Sequence, residues 1–168
     1  MADNVRLEKG LKIVRERMLG IAFLLLGIDQ ITKYYAVQEL AQGNITIFPG
    51  FDLTLRYNTG AAFNFLADAA GWQRFFFIGL AIIISVGIYI WMGRLSYREK
   101  LEGLGLSFIL SGALGNALDR IIYGRVTDFI LLYYKEWEWP AFNIADSAIF
   151  VGVCLLILNL FKKSPEKG

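Results

Sequence analysis

The chain has 168 residues, of which 56% are hydrophobic and only 19% are charged, and its formal net charge is +2. Because its apolar residues come in long runs and soluble domains average about 25% charged residues, the composition predicts one membrane domain over residues 1–168 and gives no indication of nucleic-acid binding. Histidine is absent and Cys154 is the one cysteine, which excludes serine–histidine and cysteine–histidine catalysis, zinc sites built on these residues and an internal disulfide.

The first 17 residues are polar and basic and predict a cytoplasmic tail. The apolar run at about 18–37 predicts a first transmembrane helix, since about 20 residues cross a hydrocarbon core of about 30 Å. Asp29 and Lys33 interrupt this run and share a helix face, so they can pair. Two interpretations stay open: a structural ion pair with Lys33 reaching towards the outer interface, or an Asp29 that orients neighbours of an active site.

Residues 38–71 are too polar to span a bilayer and are predicted to be extracytoplasmic. The sequence ITIFPGFDLTLRYN alternates apolar and polar residues around Pro49 and Gly50, which predicts a small β-hairpin or cradle. Asn58 and Gly60 follow in the sequence NTGAAF, where a glycine among small residues allows close backbone approach.

Two more spans are predicted at about 72–92 and 104–122, joined by a short basic loop. The third span carries Ser107, Ser111 and Gly115 at four-residue spacing, a stripe of small residues that favours close helix packing in lipid. Gly124 predicts where this helix ends.

A fourth span is predicted at about 142–161, with Pro140 placed to open it. Asn143, Asp146 and Ser147 would share one face of its first turn. The segment at 123–141 that precedes this span contains Asp128 and is predicted to be extracytoplasmic. Asp128 and Asp146 are therefore expected to meet near one edge of the bilayer.

The basic residues predict the orientation of the four spans. Residues 1–17, the loop at 94–103 and the segment after residue 161 hold 11 of the 17 lysines and arginines. These segments fall on one side of a four-span protein, so both termini are predicted to be cytoplasmic. The two aspartates then lie near the extracytoplasmic face.

Two adjacent carboxylates cannot both ionise cheaply, so they share a proton near neutral pH. One can then accept a proton from water while the other donates to a substrate carbonyl, chemistry that needs no metal or cofactor. Ion-conducting or structural carboxylate pairs are the alternative, because transporters and proton pathways also place acids in membranes. From composition and spacing an aspartic protease and a transporter are equally supported, and a serine–lysine hydrolase using Lys33 is a weaker third alternative.

Five sequence blocks, in order, resemble those of the lipoprotein signal peptidase (signal peptidase II) family. They are DQITK at 29–33, NTGAAF at 58–63, GALGN at 112–116 followed by Asp119 and Arg120, VTDF at 126–129, and FNIADS at 142–147. Ser111 stands where the family usually has a glycine, and a serine still suits a packing position. The blocks lie between residues 29 and 147, and the resemblance covers almost the whole chain.

The resemblance implies an all-α polytopic protease of the bacterial cytoplasmic (inner) membrane, with four transmembrane helices and a small extracytoplasmic β-cradle. Asp128 and Asp146 would be its catalytic dyad. The implied substrate is a prolipoprotein, embedded among membrane lipids, whose cysteine carries diacylglycerol; cleavage just before that cysteine frees the signal peptide. Cyclic peptide antibiotics such as globomycin would inhibit it. The implied supporting residues are Asp29, Lys33, Asn58, Gly60, Asn116, Arg120, Asn143 and Ala145.

Overall fold

The computed structural model describes residues 2–60 and 71–163, which form four helices and a four-stranded sheet. The elements in chain order are α1 (Ala2–Glu39), β1 (Ile45–Phe48), β2 (Phe51–Asn58), α2 (Gln73–Met92), α3 (Lys100–Tyr123), β3 (Val126–Tyr134), β4 (Trp137–Glu138) and α4 (Ile144–Lys163).

Three of the described helices are long and apolar enough to cross a membrane: α2, α3 and α4 over Ile144–Lys162. Their apolar runs come without a charged interruption in the middle, as a lipid-spanning helix requires. Helix α1 is not among the three, because Asp29, Gln30 and Lys33 lower the hydropathy of its second half. The segment before residue 18, predicted as a tail, belongs to this same helix.

Helix α1 nevertheless runs beside α3 over most of the length of α3. A Cβ added at Gly103, near the start of α3, would lie 3.1 Å from Met18 Cγ. Near the other end, Lys33 Nζ lies 3.1 Å from Asp119 Oδ2. Sixteen residues separate the two contact points on α3, or about 24 Å of helix. Residues 18–33 of α1 therefore extend through the same layer as α3.

Helices α3 and α4 pack backbone against backbone. A Cβ added at Gly152 would lie 2.6 Å from Gly105 O, and one at Gly112 would collide with Ala145 O. Only glycine fits at such contacts, and small residues at helix interfaces are how membrane helices approach closely. Ser107 and Ser111 of the predicted stripe are also buried in this region.

The sheet has the order β1-β2-β3-β4 and its paired strands are antiparallel. The predicted hairpin around Pro49 and Gly50 is confirmed, and Gly50 has a φ of 96° that favours glycine in the turn. Strand β3 occupies a segment that the sequence analysis left without regular structure. It pairs along β2, with Asn58 opposite Val126 and Arg56 opposite Asp128, which carries Asp128 into the interior.

Two helix ends test the predictions from glycine and proline. Gly124 does end α3: its φ is 75° and its N–H donates to Arg120 O at 3.1 Å. Pro140 does not open α4, which begins at Ile144. The reason is that Phe142 is bonded to the sheet, its N–H donating to Ile130 O at 3.0 Å, so the chain stays extended until Asn143.

Candidate active site

Asn143 brings the two predicted aspartates together. Its side-chain Nδ2 donates to Asp128 Oδ1 at 2.7 Å, and its backbone N–H donates to Asp146 Oδ2 at 3.2 Å. Asp128 is the third residue of β3 and Asp146 lies in the first turn of α4. The bridge through Asn143 therefore joins the end of the sheet to the start of the fourth helix.

Asn143 and Asp146 also form a reciprocal cap at the N-terminus of α4. Asp146 N–H donates to Asn143 Oδ1 at 2.9 Å, while Asp146 Oδ2 accepts the backbone N–H of Asn143. This is the arrangement of a capping box, which satisfies two N–H groups that the helix itself leaves unbonded. The cap fixes the Asp146 carboxylate relative to the helix axis.

Two further amides complete the hydrogen bonds of the carboxylates. Asn58 Nδ2 lies 3.3 Å from Asp128 Oδ2, and Asn116 Nδ2 lies 2.7 Å from Asp146 Oδ1. Each of the four carboxylate oxygens therefore accepts one N–H donor from Asn58, Asn116 or Asn143. Neutral donors hold the acids in place without supplying a full counter-charge.

Burial raises the pKa of Asp128 to about 7, and the neighbouring charge of Asp146 contributes in the same direction. The hydrogen bonds from Asn58 and Asn143 and the charge of Lys33 act in the opposite direction and offset part of that rise. Asp128 is only 3% exposed. It can therefore hold or release a proton near neutral pH, as acid–base chemistry requires.

Behind Asp146 lies a buried ion cluster centred on Lys33. Its Nζ lies 2.9 Å from Asp29 Oδ2, 3.1 Å from Asp119 Oδ2 and 3.1 Å from Asn116 Oδ1. The predicted Asp29–Lys33 pair is thus confirmed, but Lys33 is only 4% exposed and does not reach to the interface.

Asp29 holds the first turn of α4 as well as pairing with Lys33. Its Oδ1 accepts the backbone N–H of Ala145 at 2.8 Å. A carboxylate at a helix N-terminus satisfies a free N–H and interacts favourably with the helix dipole. Of the two interpretations of Asp29, the contacts favour the one in which it orients neighbours of the site.

Arg120 ties the end of β2 to α3. Its Nη2 donates to Gly60 O at 2.6 Å and its Nη1 to Asn116 O at 3.2 Å. The N–H of Gly60 donates back to Asn58 Oδ1 at 2.9 Å, which orients the amide facing Asp128. The rest of the NTGAAF block, residues 61–63, lies outside the described residues.

A cavity of about 580 Å³ opens beside the two aspartates. Its polar lining consists of Asn58, Asn116, Arg120, Asp128, Asp146 and Ser147, and the remainder of the lining is apolar and aromatic. The apolar part is lined by Val126, Leu132, Trp139, Pro140, Ala141, Phe142, Phe150 and Val151. The site thus offers an acid–base pair at the edge of a volume suited to an apolar ligand.

The geometry does not support the serine–lysine alternative. Lys33 Nζ is bonded to Asp29, Asp119 and Asn116. Ser147 Oγ donates to Asn143 O at 2.9 Å instead of approaching Lys33. Among the side chains described here, Lys33 therefore activates no serine nucleophile.

The sequence analysis did not assign Asp119 and Gln30 to the site. Asp119 accepts from Gln30 Nε2 at 3.0 Å and from Thr127 N–H at 3.0 Å, so it links α1, α3 and the start of β3. The signal was in the sequence: Asp119 follows Asn116 by three residues and therefore lies on the same side of α3. An aspartate buried there needed a cation, and Lys33 was available.

A bundle of apolar helices, capped by a small sheet that helps to bury two carboxylates, defines this protein as a membrane enzyme. Solved structures agree. One bacterial membrane enzyme, solved by the in meso method at 2.3 Å resolution, is 30% identical with a TM-score of 0.78, over 91% of this chain and 92% of the other. A second, at 1.9 Å, gives a TM-score of 0.76 at 30% identity, over 89% and 95%.

The family described as Signal peptidase (SPase) II matches residues 21–162, and the chain belongs to this family of proteases. A lipoprotein signal peptidase of Polynucleobacter necessarius is 49% identical over 153 residues, which are 90% of this chain and 93% of that protein. Lipoprotein signal peptidases of Ectopseudomonas mendocina and Alteromonas mediterranea are 48% and 44% identical, covering 86% and 94% of this chain and 87% and 89% of theirs.

Proposed function

We propose that the chain is an aspartic endopeptidase that removes the signal peptide from diacylglyceryl-modified prolipoproteins, with Asp128 and Asp146 as the catalytic dyad. The observation that carries the proposal is the bridge of Asn143 between the two acids, both of which line a largely apolar cavity. Membership of the signal peptidase II family supplies the substrate class.

The reaction needs one proton on the pair. The ionised carboxylate accepts a proton from water, and the resulting hydroxide attacks the carbonyl carbon of the residue before the lipidated cysteine. The protonated carboxyl donates to the carbonyl oxygen, which gives a neutral tetrahedral intermediate. When that intermediate collapses, one of its hydroxyl groups returns a proton to the ionised carboxylate, the C–N bond breaks, and the amine of the cysteine takes a proton from the protonated carboxyl. The dyad then again holds one proton. The raised pKa of Asp128 supports this sharing of one proton near neutral pH.

The cavity suits a lipid-modified peptide. Its apolar part is lined by Leu132, Phe150 and Val151, while Trp139 places an aromatic ring on its wall. The acyl chains would remain among the helices and lipids while the scissile bond reaches the dyad. We propose that cyclic peptide antibiotics such as globomycin occupy the same cavity and so exclude the substrate.

Cleavage itself is the direct test. The purified protein, added to a diacylglyceryl-modified prolipoprotein, is expected to convert it to a shorter form on a gel, and the unmodified precursor is the control. An intact precursor, together with solute or proton flux in sealed vesicles, would favour the transporter alternative.

We propose four membrane spans, with α1 as the first. Its residues 18–33 extend beside α3 through the same layer. All four helices also meet at the opposite end of the bundle from the dyad, where the basic segments lie. There Arg15 of α1 stacks on Tyr89 of α2, with its Cζ 5.2 Å from the ring centroid, and Asn159 near the end of α4 donates to Glu102 of α3 at 2.9 Å. This end would face the cytoplasm, with the dyad near the outer face of the bacterial inner membrane.

Single cysteines in a Cys154→Ala background are expected to report this topology. Cysteine at Ala41 or Tyr134 should react with a membrane-impermeant thiol reagent on intact spheroplasts, because both positions are exposed at the sheet end. Cysteine at Ser96, in the loop between α2 and α3, should react only after lysis. Labelling of Ser96 in intact cells would invert the proposed orientation.

Ser147→Ala and Cys154→Ala are each expected to keep at least about half of the wild-type kcat. Ser147 Oγ donates to the backbone carbonyl of Asn143, just before α4, and Cys154 lies about two turns beyond Asp146. The measurement is the initial rate of prolipoprotein cleavage by folded, purified variants. A folded Ser147→Ala enzyme without activity would bring back a serine nucleophile.

A further inference from the structure

All three N–H donors of the Lys33 ammonium group are used by acceptors within the protein. An ammonium group carries three N–H donors, and Lys33 Nζ has three acceptors within 3.1 Å: Asp29 Oδ2, Asp119 Oδ2 and Asn116 Oδ1. None of its N–H groups is left to bind a ligand. Whatever Lys33 does for the site, it does through these three partners.

Two of these partners, Asp29 and Asp119, also accept hydrogen bonds from groups other than Lys33. Asp29 accepts the N–H of Ala145 at 2.8 Å, and Asp119 accepts Gln30 Nε2 and Thr127 N–H, each at 3.0 Å. The links from α1 to α3 and α4 therefore do not depend on the lysine alone. The bond to Asn116 is different, because Asn116 is the partner that contacts the dyad.

Lys33 is one of two donors that fix which way the Asn116 amide faces. Asn116 Oδ1 accepts from Lys33 Nζ and from Asn143 Nδ2, each at 3.1 Å, and Asn116 Nδ2 donates to Asp146 Oδ1 at 2.7 Å. A flipped amide would point its N–H₂ at two donors and its oxygen at a carboxylate, which is unfavourable at all three contacts.

We propose that Lys33 is a positioning residue that locks the Asn116 amide so that its N–H donates to Asp146. This inference rests on the proposed function, because it concerns the geometry of the dyad during cleavage. Without Lys33, Asn143 Nδ2 would be the remaining described donor to the Asn116 oxygen, and its two N–H groups also serve Asp128 Oδ1 and Thr127 O. The N–H that Asn116 donates to Asp146 would then be held less firmly. A misplaced carboxylate slows the chemical step while leaving substrate binding in place.

Lys33→Met keeps the length of the side chain and removes the charge and the donors. It is expected to lower kcat by about 10- to 100-fold with KM changed less than about twofold. Lys12→Met is the matched control. Lys12 lies on the same helix and also pairs at i, i+4, with Glu16 at 3.9 Å, but its side chain is 67% exposed. That variant should keep the wild-type kcat.

A double-mutant cycle isolates the route through Asn116. Asn116→Ala alone should also lower kcat, and adding Lys33→Met to it should cost less than about threefold more, because the amide that Lys33 orients is gone. Losses that multiply, or a folded Lys33→Met enzyme with the wild-type kcat, would overturn the proposal. A rise in KM alone would also overturn it.

Removing Lys33 leaves Asp29 and Asp119 buried without their cation, so Lys33→Met could fail to fold. Lys33→Met with Asp119→Asn restores the original net charge of the cluster, and thermal unfolding in detergent shows whether it is folded. If this double variant folds, a kcat lowered by about 10- to 100-fold supports the positioning role of Lys33, and a wild-type kcat overturns it. A wild-type protein that does not cleave would remove the proposed function and this inference together, whereas an active wild type with an indifferent Lys33 removes only the inference.

Discussion

Asp128→Asn and Asp146→Asn are each expected to lower kcat for prolipoprotein cleavage by at least about 10³-fold while the protein still inserts and folds. An asparagine keeps the shape of the side chain, but it can neither accept a proton from water nor share one with its neighbour. The measurement is single-turnover cleavage of a lipidated precursor by each purified variant, so that binding and product release do not mask the chemical step.

Asp52→Asn is the matched control. Asp52 belongs to the same sheet as Asp128 and accepts a hydrogen bond from Tyr133 Oη at 3.3 Å, but it does not line the cavity. Its replacement should leave kcat within about twofold of wild type. Turnover near the wild-type rate by either Asp128→Asn or Asp146→Asn would remove that residue from the dyad.

Asp128→Asn is also expected to change how the stability of the protein depends on pH. Because the pKa of Asp128 is raised to about 7 in the folded protein, folding favours the protonated form. Asp128 therefore contributes most to stability at low pH, and that contribution is lost as pH rises towards and through 7. The wild-type Tm should fall between pH 5 and pH 8. Asp128→Asn has no such proton to lose, so its Tm should fall less over this range.

Long apolar runs located the helices well, and the remaining errors have physical reasons. Helix α2 has a single charged residue, Arg74 in its first turn, and an uninterrupted apolar run after it, so its predicted bounds differ from Gln73–Met92 by one residue. Helix α3 begins at Lys100, four residues before the predicted start at about 104. The charged residue in this turn, Glu102, is buried and accepts hydrogen bonds from Trp91 and Asn159. From sequence alone, a charged residue such as Glu102 indicates an exposed loop, because its hydrogen-bond partners lie on other helices.

Strand β3 was missed because its pattern is not that of a half-exposed strand. Val126 to Phe129 are all buried, since this part of the strand is covered on both faces. The sequence VTDFILLYY places two polar residues side by side and then a continuous apolar run, so it shows no apolar–polar alternation that would indicate a strand. Pairing with β2 depends on a partner some 70 residues away in the chain. For the same reason the sequence located both aspartates and their amides but not the hydrogen bonds that connect them.

Asn143→Ala is expected to have the second largest effect, lowering kcat by about 100-fold or more. Asn143 is fully buried and is the residue that contacts both aspartates: its Nδ2 donates to Asp128 Oδ1, and its Oδ1 accepts the N–H of Asp146. Alanine keeps only the backbone bond to Asp146. The variant should also lose about 1 kcal/mol of stability with the N-cap.

Comparing Asn143→Ala with Asn159→Ala separates the effect on the dyad from the general cost of losing a partly buried amide. Asn159 lies on the same helix and makes one bond of 2.9 Å, to Glu102, at the opposite end of α4 from the dyad. Both variants should lose a similar amount of stability in thermal unfolding, but only Asn143→Ala should lose kcat. Since Asn143 bridges the acids, its loss should also alter the pH dependence of kcat/KM, because Asp128 loses one of the two amide donors, Asn58 and Asn143, that lower its pKa. The limb of the profile that reports Asp128 should therefore move to higher pH. An Asn143→Ala enzyme with a wild-type kcat and an unchanged pH profile would show that the bridge plays no part in the reaction.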